Sequence, residues 1–298
     1  MKIALMYNPK AGGSTLPVED LVSLLEQRGA SVLTQDTKAD DYKEALDYGC
    51  DFIIVAGGDG TIEKVAKKVI NKGMTVPIAI LPFGNANNIA GSLEVDTAIH
   101  SIIDSWEKKE YRKFRVGTVA LGEVSKFFFE SVGWGLFSEV LHEVEAEKEK
   151  QIQPPNQSQD KVKSGMQRLA RMVSAIEPAF YQIFIDGEDL TGYYLWVEVM
   201  NTQSIGPRLR LAPEAKHGDE YLDVVLIREN ERSLLEHFIS RQKGDNDKDL
   251  FAPIKAQKIK IRTDQVCHVD DEVSSAKDVS GVWVELSLLP ESIYILNG

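Results

Sequence analysis

The sequence predicts an N-terminal doubly wound α/β domain followed by a C-terminal, mainly antiparallel β-sandwich. Three observations predict it. Up to about residue 112, short continuous apolar runs alternate with amphipathic segments, the pattern of parallel strands joined by helical crossovers. Beyond that point, β-branched and aromatic runs follow one another with turn signals between them, and several alternate with period two, as in Lys258–Ile261. At 298 residues the chain is long enough to bury two cores.

Residues 2–7 (KIALMY) read as a buried strand. Residues 17–28 (PVEDLVSLLEQR) have helical periodicity, and Gly29 can close that helix. SVLTQ reads as the next strand, YKEALDYG as a short helix and DFIIVA as a third strand. TIEKVAKKVINKG is an amphipathic helix ending at Gly73. PIAILPFG is a fourth strand, and ANNIAGSL opens a fourth helix. In the second domain RKFRVGTVAL, SKFFFESVGWG, AFYQIFIDGE, YYLWVEVMN, YLDVVLIRE, QKIKIRTD and GVWVELSLL read as strands. Two helices interrupt them, across MQRLARMVSAI and SLLEHFISRQK. Residues 143–161 (EVEAEKEKQIQPPNQSQDK) read as a mobile surface connection, with a lid as the other reading.

Composition narrows the function classes. With 43% hydrophobic and 27% charged residues, this is the profile of a soluble globular protein. A net charge of −12 argues against general nucleic-acid binding and against strong adhesion to anionic lipid. Cys50 and Cys267 suggest neither a disulfide framework nor a zinc site, and they fit a reducing, cytoplasmic compartment. The five histidines show no metal-ligand spacing. The opening MKIALMYNPKAGG is too briefly apolar for a signal peptide, and no run approaches the roughly 18 apolar residues of a membrane span.

The chemistry concentrates where strands end. In VAGGDGTIEKV (55–65), Gly57, Gly58, Asp59, Gly60 and Thr61 stand between a strand and a helix. Glycine there lets an anion approach the backbone, and the helix offers N–H groups and the positive end of its dipole. Asp59, itself an anion, suits Mg²⁺ or a substrate hydroxyl better than phosphate. The bland alternative is a tight turn in which Asp59 or Thr61 caps the helix. Two similar loops, NPKAGG (8–13) and PFGNANN (82–88), follow neighbouring strands. Together the three make a coherent nucleotide cradle.

NPKAGG, GGDGTIEKV and LPFGNANNIAGSL, in this order, resemble the diacylglycerol kinase catalytic domain family of bacterial lipid kinases, related to sphingosine and ceramide kinases. LAPEAKHGDEYLDVVLI (211–227) and HVDDEV (268–273) resemble its later motifs. GGDGT alone also occurs in NAD kinases and, as a variant, in phosphofructokinases. The resemblance implies an ATP-binding domain at 1–112, completed by 288–298, and an acceptor-lipid domain at 113–287, with catalysis in the cleft between them. It implies an ATP-dependent lipid kinase using Mg²⁺, with Glu272 as general base and Asp270 or Asp271 as alternatives. On the nucleotide side it implies Asn8, Lys10, Gly57, Gly58, Asp59, Gly60, Thr61, Ile62, Glu63 and Asn85, with Thr34 or Thr37. It further implies a metal held by Asp219 and the carbonyls of Lys216 and Tyr221.

Departures from the family pattern are Asn85 for threonine, Lys64 for glutamate, Glu220 and Asp271 for glycine, and Gly91 for arginine. They keep open a nucleotide- or lipid-binding relative with weak or lost activity, and NAD kinase remains a further alternative. The expected partner is a lipid substrate met transiently at the membrane surface, where Arg168, Arg171, Arg208 and Arg210 either orient the protein or are simply solvated. A homodimer is compatible with the sequence, which does not set oligomeric state.

Overall fold

Runs too apolar to face water form a parallel sheet in the first part of the chain. Strands β1 (Lys2–Tyr7), β2 (Ser31–Asp36), β3 (Phe52–Gly57) and β4 (Ile78–Pro82) pair side by side in the order β2-β1-β3-β4. The chain's last strand, Trp283–Leu296, returns to place Ile295 beside Ile78, also parallel. Helices α1 (Val18–Glu26), α2 (Asp59–Asn71), α3 (Asn88–Ser92) and α4 (Ile99–Ser105) make the crossovers. Ile3, Leu5, Leu21, Leu25, Ile54, Leu81 and Ile102 share one core cluster. The strand order changes direction between β1 and β3, and ligands of such sheets collect beyond the carboxyl ends at that point.

The computed structural model describes residues 1–11, 16–39, 44–108, 110–150, 158–241, 250–274 and 280–296. The chain divides into two compact units, Met1–Arg115 with Glu291–Gly298, and Val116–Pro290. Of the expected helix YKEALDYG, Glu44–Tyr48 form a 3-10 turn, and 42–43 lie outside the described residues.

Strand β5 (Tyr111–Leu121) leads into the second unit. There follow β6 (Val124–Phe128), β7 (Ser131–Gly135), β8 (Ala179–Ile185), β9 (Glu188–Asp189), β10 (Gly192–Tyr194) and β11 (Trp196–Met200). Next come β12 (Leu222–Ile227), β13 (Ile254–Ala256), β14 (Ile259–Arg262), β15 (Cys267–Val269), β16 (Glu272–Val273) and β17 (Trp283–Leu296). One sheet runs β13-β12-β11-β7-β15-β16, all antiparallel. Facing it are β10, β8 and β14, with β14 also paired to β17. Val132, Val197, Val199, Tyr181, Ile183 and Ile261 fill the space between the two faces.

A helical layer covers the other face of this sheet: α6 and α7 fall on the two expected helices, and α5 is the one that the sequence pattern does not announce. Helices α5 (Leu136–Glu149), α6 (Ser158–Val173) and α7 (Arg232–Ser240) form a second core with the outer face of β11 and β12. Residues 143–149, expected in a loop, therefore belong to α5, while 151–157 lie outside the described residues. The charges there are helix formers that pair across helices. Arg168 grips Glu147 with two hydrogen bonds of 2.6 and 2.8 Å, and Arg171 reaches Glu143 at 2.5 Å. These ion pairs tie α5 to α6, with Arg171 still exposed at the surface. SKFFFESVGWG, expected as one strand, breaks at Phe129–Glu130 into β6 and β7.

Because β11 is covered on both faces, the carboxylate at its centre is sealed in. Glu198 and His268 are each 0% exposed. Trp196 Nε1–H donates to Glu198 Oε2 at 2.7 Å, and His268 Nε2 stands 3.0 Å from Oε1. A Cβ on Gly133 would lie 2.1 Å from Oε2, so the glycine makes room for the carboxylate. Ser138 Oγ donates to the Gly133 carbonyl at 2.8 Å. Its proton is thereby used, so the 2.8 Å contact with His268 Nδ1 requires Nδ1–H to donate. His268 Nε2 is also 3.5 Å from Ser131 Oγ, so the imidazole is held at both nitrogens. This network anchors β15, the strand that leads into the HVDDEV turn.

Removing the carboxylate strands both partners, so Glu198→Ala costs about 3–5 kcal/mol. Glu198→Gln still accepts from Trp196 and donates to a neutral His268, and costs less than about 1.5 kcal/mol. Urea unfolding of the two variants at neutral pH measures the difference. Equal losses would mean that the hydrogen bonds of the Glu198 side chain do not organise this site.

Candidate functional site

Three loops meet at the carboxyl edge of the parallel sheet, and backbone contacts lock them together. In the sheet register Tyr7 faces Ala56 and Gly57 faces Pro82, so the loops start side by side. A Cβ on Gly84 would lie 2.4 Å from Gly58 Cα and 2.6 Å from Asn87 Oδ1. A Cβ on Gly57 would lie 2.6 Å from Thr61 Cβ. Three of these glycines are therefore explained by close packing. Gly60 is not. It begins α2 without positive φ, is exposed, and a Cβ there would meet nothing within 4 Å. Open space over the first turn of a 13-residue helix is where an anion can reach the backbone.

Side chains complete the clamp. Asp59 does not cap its own helix, whose N-cap Gly58 makes no side-chain bond. Its carboxylate instead accepts from the N–H groups of Asn88, at 3.0 Å, and Ile89, at 2.9 Å, capping α3. Asn8 Nδ2 donates to Thr61 Oγ1 at 3.3 Å, tying the first loop to the second, and Asn8 Oδ1 accepts from Lys10 N at 3.0 Å. Asn87, absent from the residues expected at this site, holds the third loop. It adopts left-handed φ of 55°, accepts from Gly84 N at 2.9 Å, and donates to the carbonyls of Pro82 and Gly84. Asparagine is one of the few residues that take this conformation readily, the signal that marks it in NANN.

The remaining candidates separate. Lys10 is exposed and Asn85 half-buried at this edge. Thr37 follows the end of β2 and donates from Oγ1 to the Tyr7 carbonyl at 3.1 Å. Lys64 reaches the Thr37 carbonyl. Thr34 sits inside β2, opposite Leu5, away from the strand's end. Ile62 has its side chain in the core, 1% exposed, and its N–H bonded to the Gly58 carbonyl, so it offers a ligand no group. Glu63 forms an ion pair with Lys67 one turn along α2.

In the second unit, β15 and β16 form a hairpin in which Val269 faces Glu272. Asp270 turns the corner with φ of 51°. It is buried, and its carboxylate accepts from the N–H groups of Phe129, Glu130 and Ser131 at 2.7–3.2 Å. Asp270 thus holds the β6–β7 break through its carboxylate. Glu272 is 72% exposed at its side chain, with Lys126 Nζ 3.7 Å away.

The expected metal loop is closed by hydrogen bonds of its own. Asp219 Oδ1 accepts from Tyr221 N at 3.0 Å, and Lys216 O accepts from Asp219 N at 3.1 Å. The other oxygen, Asp219 Oδ2, accepts from Lys255 Nζ at 3.0 Å. Burial pushes the nearby Asp223 carboxyl up to about 6, against the pull of the Lys255 ammonium. Burial also opposes the charge on Lys255, but the Asp219 hydrogen bond and both carboxylates outweigh it and hold the ammonium above its ordinary range. Among the described residues, no group of three or more His, Cys, Asp or Glu is placed to hold a metal.

Comparison with known proteins agrees with this architecture. Residues 2–119 match the family model described as diacylglycerol kinase catalytic domain. Residues 140–297 match the one described as YegS C-terminal NAD kinase beta sandwich-like domain. A diacylglycerol kinase of Staphylococcus saprophyticus is 26% identical over 281 residues, 90% of this chain and 88% of its own. One from Staphylococcus aureus is 24% identical over 279 residues, 90% of this chain and 85% of its own. A putative diacylglycerol kinase structure from Bacillus anthracis superposes with a TM-score of 0.71 at 20% identity, covering 100% of this chain and 97% of that one. An NAD kinase from Archaeoglobus fulgidus, solved in complex with ATP, gives 0.55 at 14% identity, covering 100% and 94%. These two likenesses concern the fold. The chain thus joins a diacylglycerol kinase catalytic domain, at 2–119, to a member of the YegS C-terminal NAD kinase beta sandwich-like domain family, at 140–297.

Proposed function

We propose that the chain is an ATP-dependent lipid kinase that transfers the γ-phosphate to a hydroxyl of diacylglycerol or a related lipid. The observation that carries the nucleotide half is the locked three-loop edge with open space over Gly60. Phosphates with their Mg²⁺ would lie against the first turn of α2, where the dipole and N–H groups favour negative charge. Asp59 would position the third loop through α3 and turn any remaining lone pair toward the Mg²⁺ rather than the phosphates. The acceptor hydroxyl oxygen attacks the γ-phosphorus, the bond to the ADP oxygen breaks, and the hydroxyl proton passes to a carboxylate. Glu272 is assigned as that carboxylate on the family resemblance, with its neighbour Asp271 as the alternative, while Asp270 already accepts from three amides. The kinship with the Staphylococcus diacylglycerol kinases supports a lipid acceptor. No helix among the described residues is long and apolar enough to cross a membrane, so the lipid would be met at the membrane surface.

Two glycine substitutions separate ligand space from packing. Gly60→Ala should leave the fold intact or stabilise it by about 0.4–1 kcal/mol, while weakening ATP binding by at least about tenfold, or roughly 1.4 kcal/mol. Gly84→Ala forces two backbones apart and should destabilise the protein by about 1–3 kcal/mol as well. Thermal unfolding and ATP titration report both quantities. Normal ATP affinity in Gly60→Ala would remove the phosphates from this turn.

Glu272→Gln should keep ATP affinity and lower transfer by about 100-fold or more. Radiolabelled ATP with diacylglycerol, sphingoid and glycerolipid acceptors, and with NAD, measures transfer and acceptor class together. Unchanged turnover in Glu272→Gln would place the base elsewhere. Transfer to NAD alone would replace the lipid reading with that of an NAD kinase.

A further inference from the structure

Resemblance to the family assigns Asp219, with the carbonyls of Lys216 and Tyr221, to a divalent cation. This chain fills the position in another way. Lys255 on β13 pairs directly with Asp223 on β12 in the antiparallel register. The register therefore delivers its side chain to the carboxylates of the preceding turn. Its ammonium donates to Asp219 Oδ2 at 3.0 Å and lies 3.8 Å from Asp223 Oδ1. It also stands 5.9 Å from the centre of the Tyr221 ring, whose face attracts a cation. Asp219 Oδ1 and the Lys216 carbonyl are meanwhile engaged by backbone N–H groups.

We propose that the Lys255 ammonium is the resident cation of this loop, standing where relatives of the resemblance place a metal. Mg²⁺ needs a near-ideal octahedron of oxygens at about 2.0–2.1 Å. An ammonium hydrogen-bonded to the central carboxylate competes for that oxygen and repels a dication at short range. An ammonium bound by a covalent tether is present at any metal concentration. The 216–223 segment is thus ordered without divalent metal, and any Mg²⁺ the protein uses arrives with nucleotide at the other unit.

The test uses nucleotide-free, full-length protein, so that phosphoryl transfer does not enter the readout. Thermal unfolding is followed in excess Mg²⁺ and in chelator for the wild type, Asp219→Asn, Lys255→Met and the double variant. A chain of net charge −12 binds some magnesium nonspecifically, and Asp219→Asn measures that background. The wild type should respond to magnesium within about 1 °C of Asp219→Asn. Lys255→Met should gain a further rise of about 2 °C or more that the double variant lacks. The proposal is overturned if the wild type shows an extra rise that Asp219→Asn abolishes, for the loop then holds metal beside the lysine. It is equally overturned if folded Lys255→Met gains no response. Should Lys255→Met fail to fold, magnesium titration calorimetry on the wild type against Asp219→Asn decides instead: a heat specific to Asp219 sinks the proposal, and matching traces support it.

Discussion

The contact between the backbones of Gly58 and Gly84 sets the geometry of the first unit's working edge. A methyl group on either residue would enter the other's backbone, so the β3–α2 and β4–α3 corners can approach only because both lack a side chain. Once they approach, Asp59 comes within reach of the α3 N–H groups. A buried or half-buried amide without a partner costs about 1–3 kcal/mol, so the carboxylate and the close contact sustain each other. The consequence for binding is preorganisation. Loops fixed by their own hydrogen bonds need little further ordering when a ligand arrives, and ordering is a main cost of association.

This arrangement changes what GGDGT means chemically. A glycine-rich corner is commonly read as one undifferentiated anion site. Here its glycines have separate causes: Gly57 admits Thr61, Gly58 admits Gly84, and only Gly60 leaves space that the protein itself does not use. The aspartate likewise has an internal occupation before any metal or substrate is considered. Its substitution would disturb the third loop through α3, so loss of activity in such a variant would not by itself identify a metal ligand.

The strands and loops of the α/β unit are legible in the sequence because their signals are local. A continuous apolar run and a following glycine corner mark strand, turn and helix within a dozen residues. The partners of those corners are not legible. Asp59 meets residues 29 and 30 positions away, and Lys255 meets Asp219 across 36. Glu198 in WVEVM alternates like a solvent-facing residue on a one-sided sheet. It is buried because helices cover that face, and α5, one of them, begins directly after a segment that reads as strand and ends where the sequence reads as charged loop. Glu143 and Glu147 have the pattern of solvated residues, yet they are the partners of Arg171 and Arg168. Charge content alone does not distinguish a solvated segment from an interhelical seam.

The departures from the family pattern follow the same division between backbone and charge. Acids at Glu220 and Asp271, where relatives have glycine, would be costly if either position required a left-handed backbone. Neither has positive φ. At the HVDDEV turn the left-handed residue is Asp270, and three N–H groups of the β6–β7 break bind its carboxylate and offset that conformation. Aspartate tolerates left-handed geometry better than most residues, so the turn retains its shape without glycine after it. What Asp271 adds is a carboxyl group next to Glu272 in sequence, while Lys126, 3.7 Å from Glu272, supplies a positive charge. In the proposed reaction, charges this close would act on the proton acceptor and on any anion it meets. Replacing the glycine therefore alters the electrostatic setting of the proposed base while leaving the hairpin that presents it unstrained.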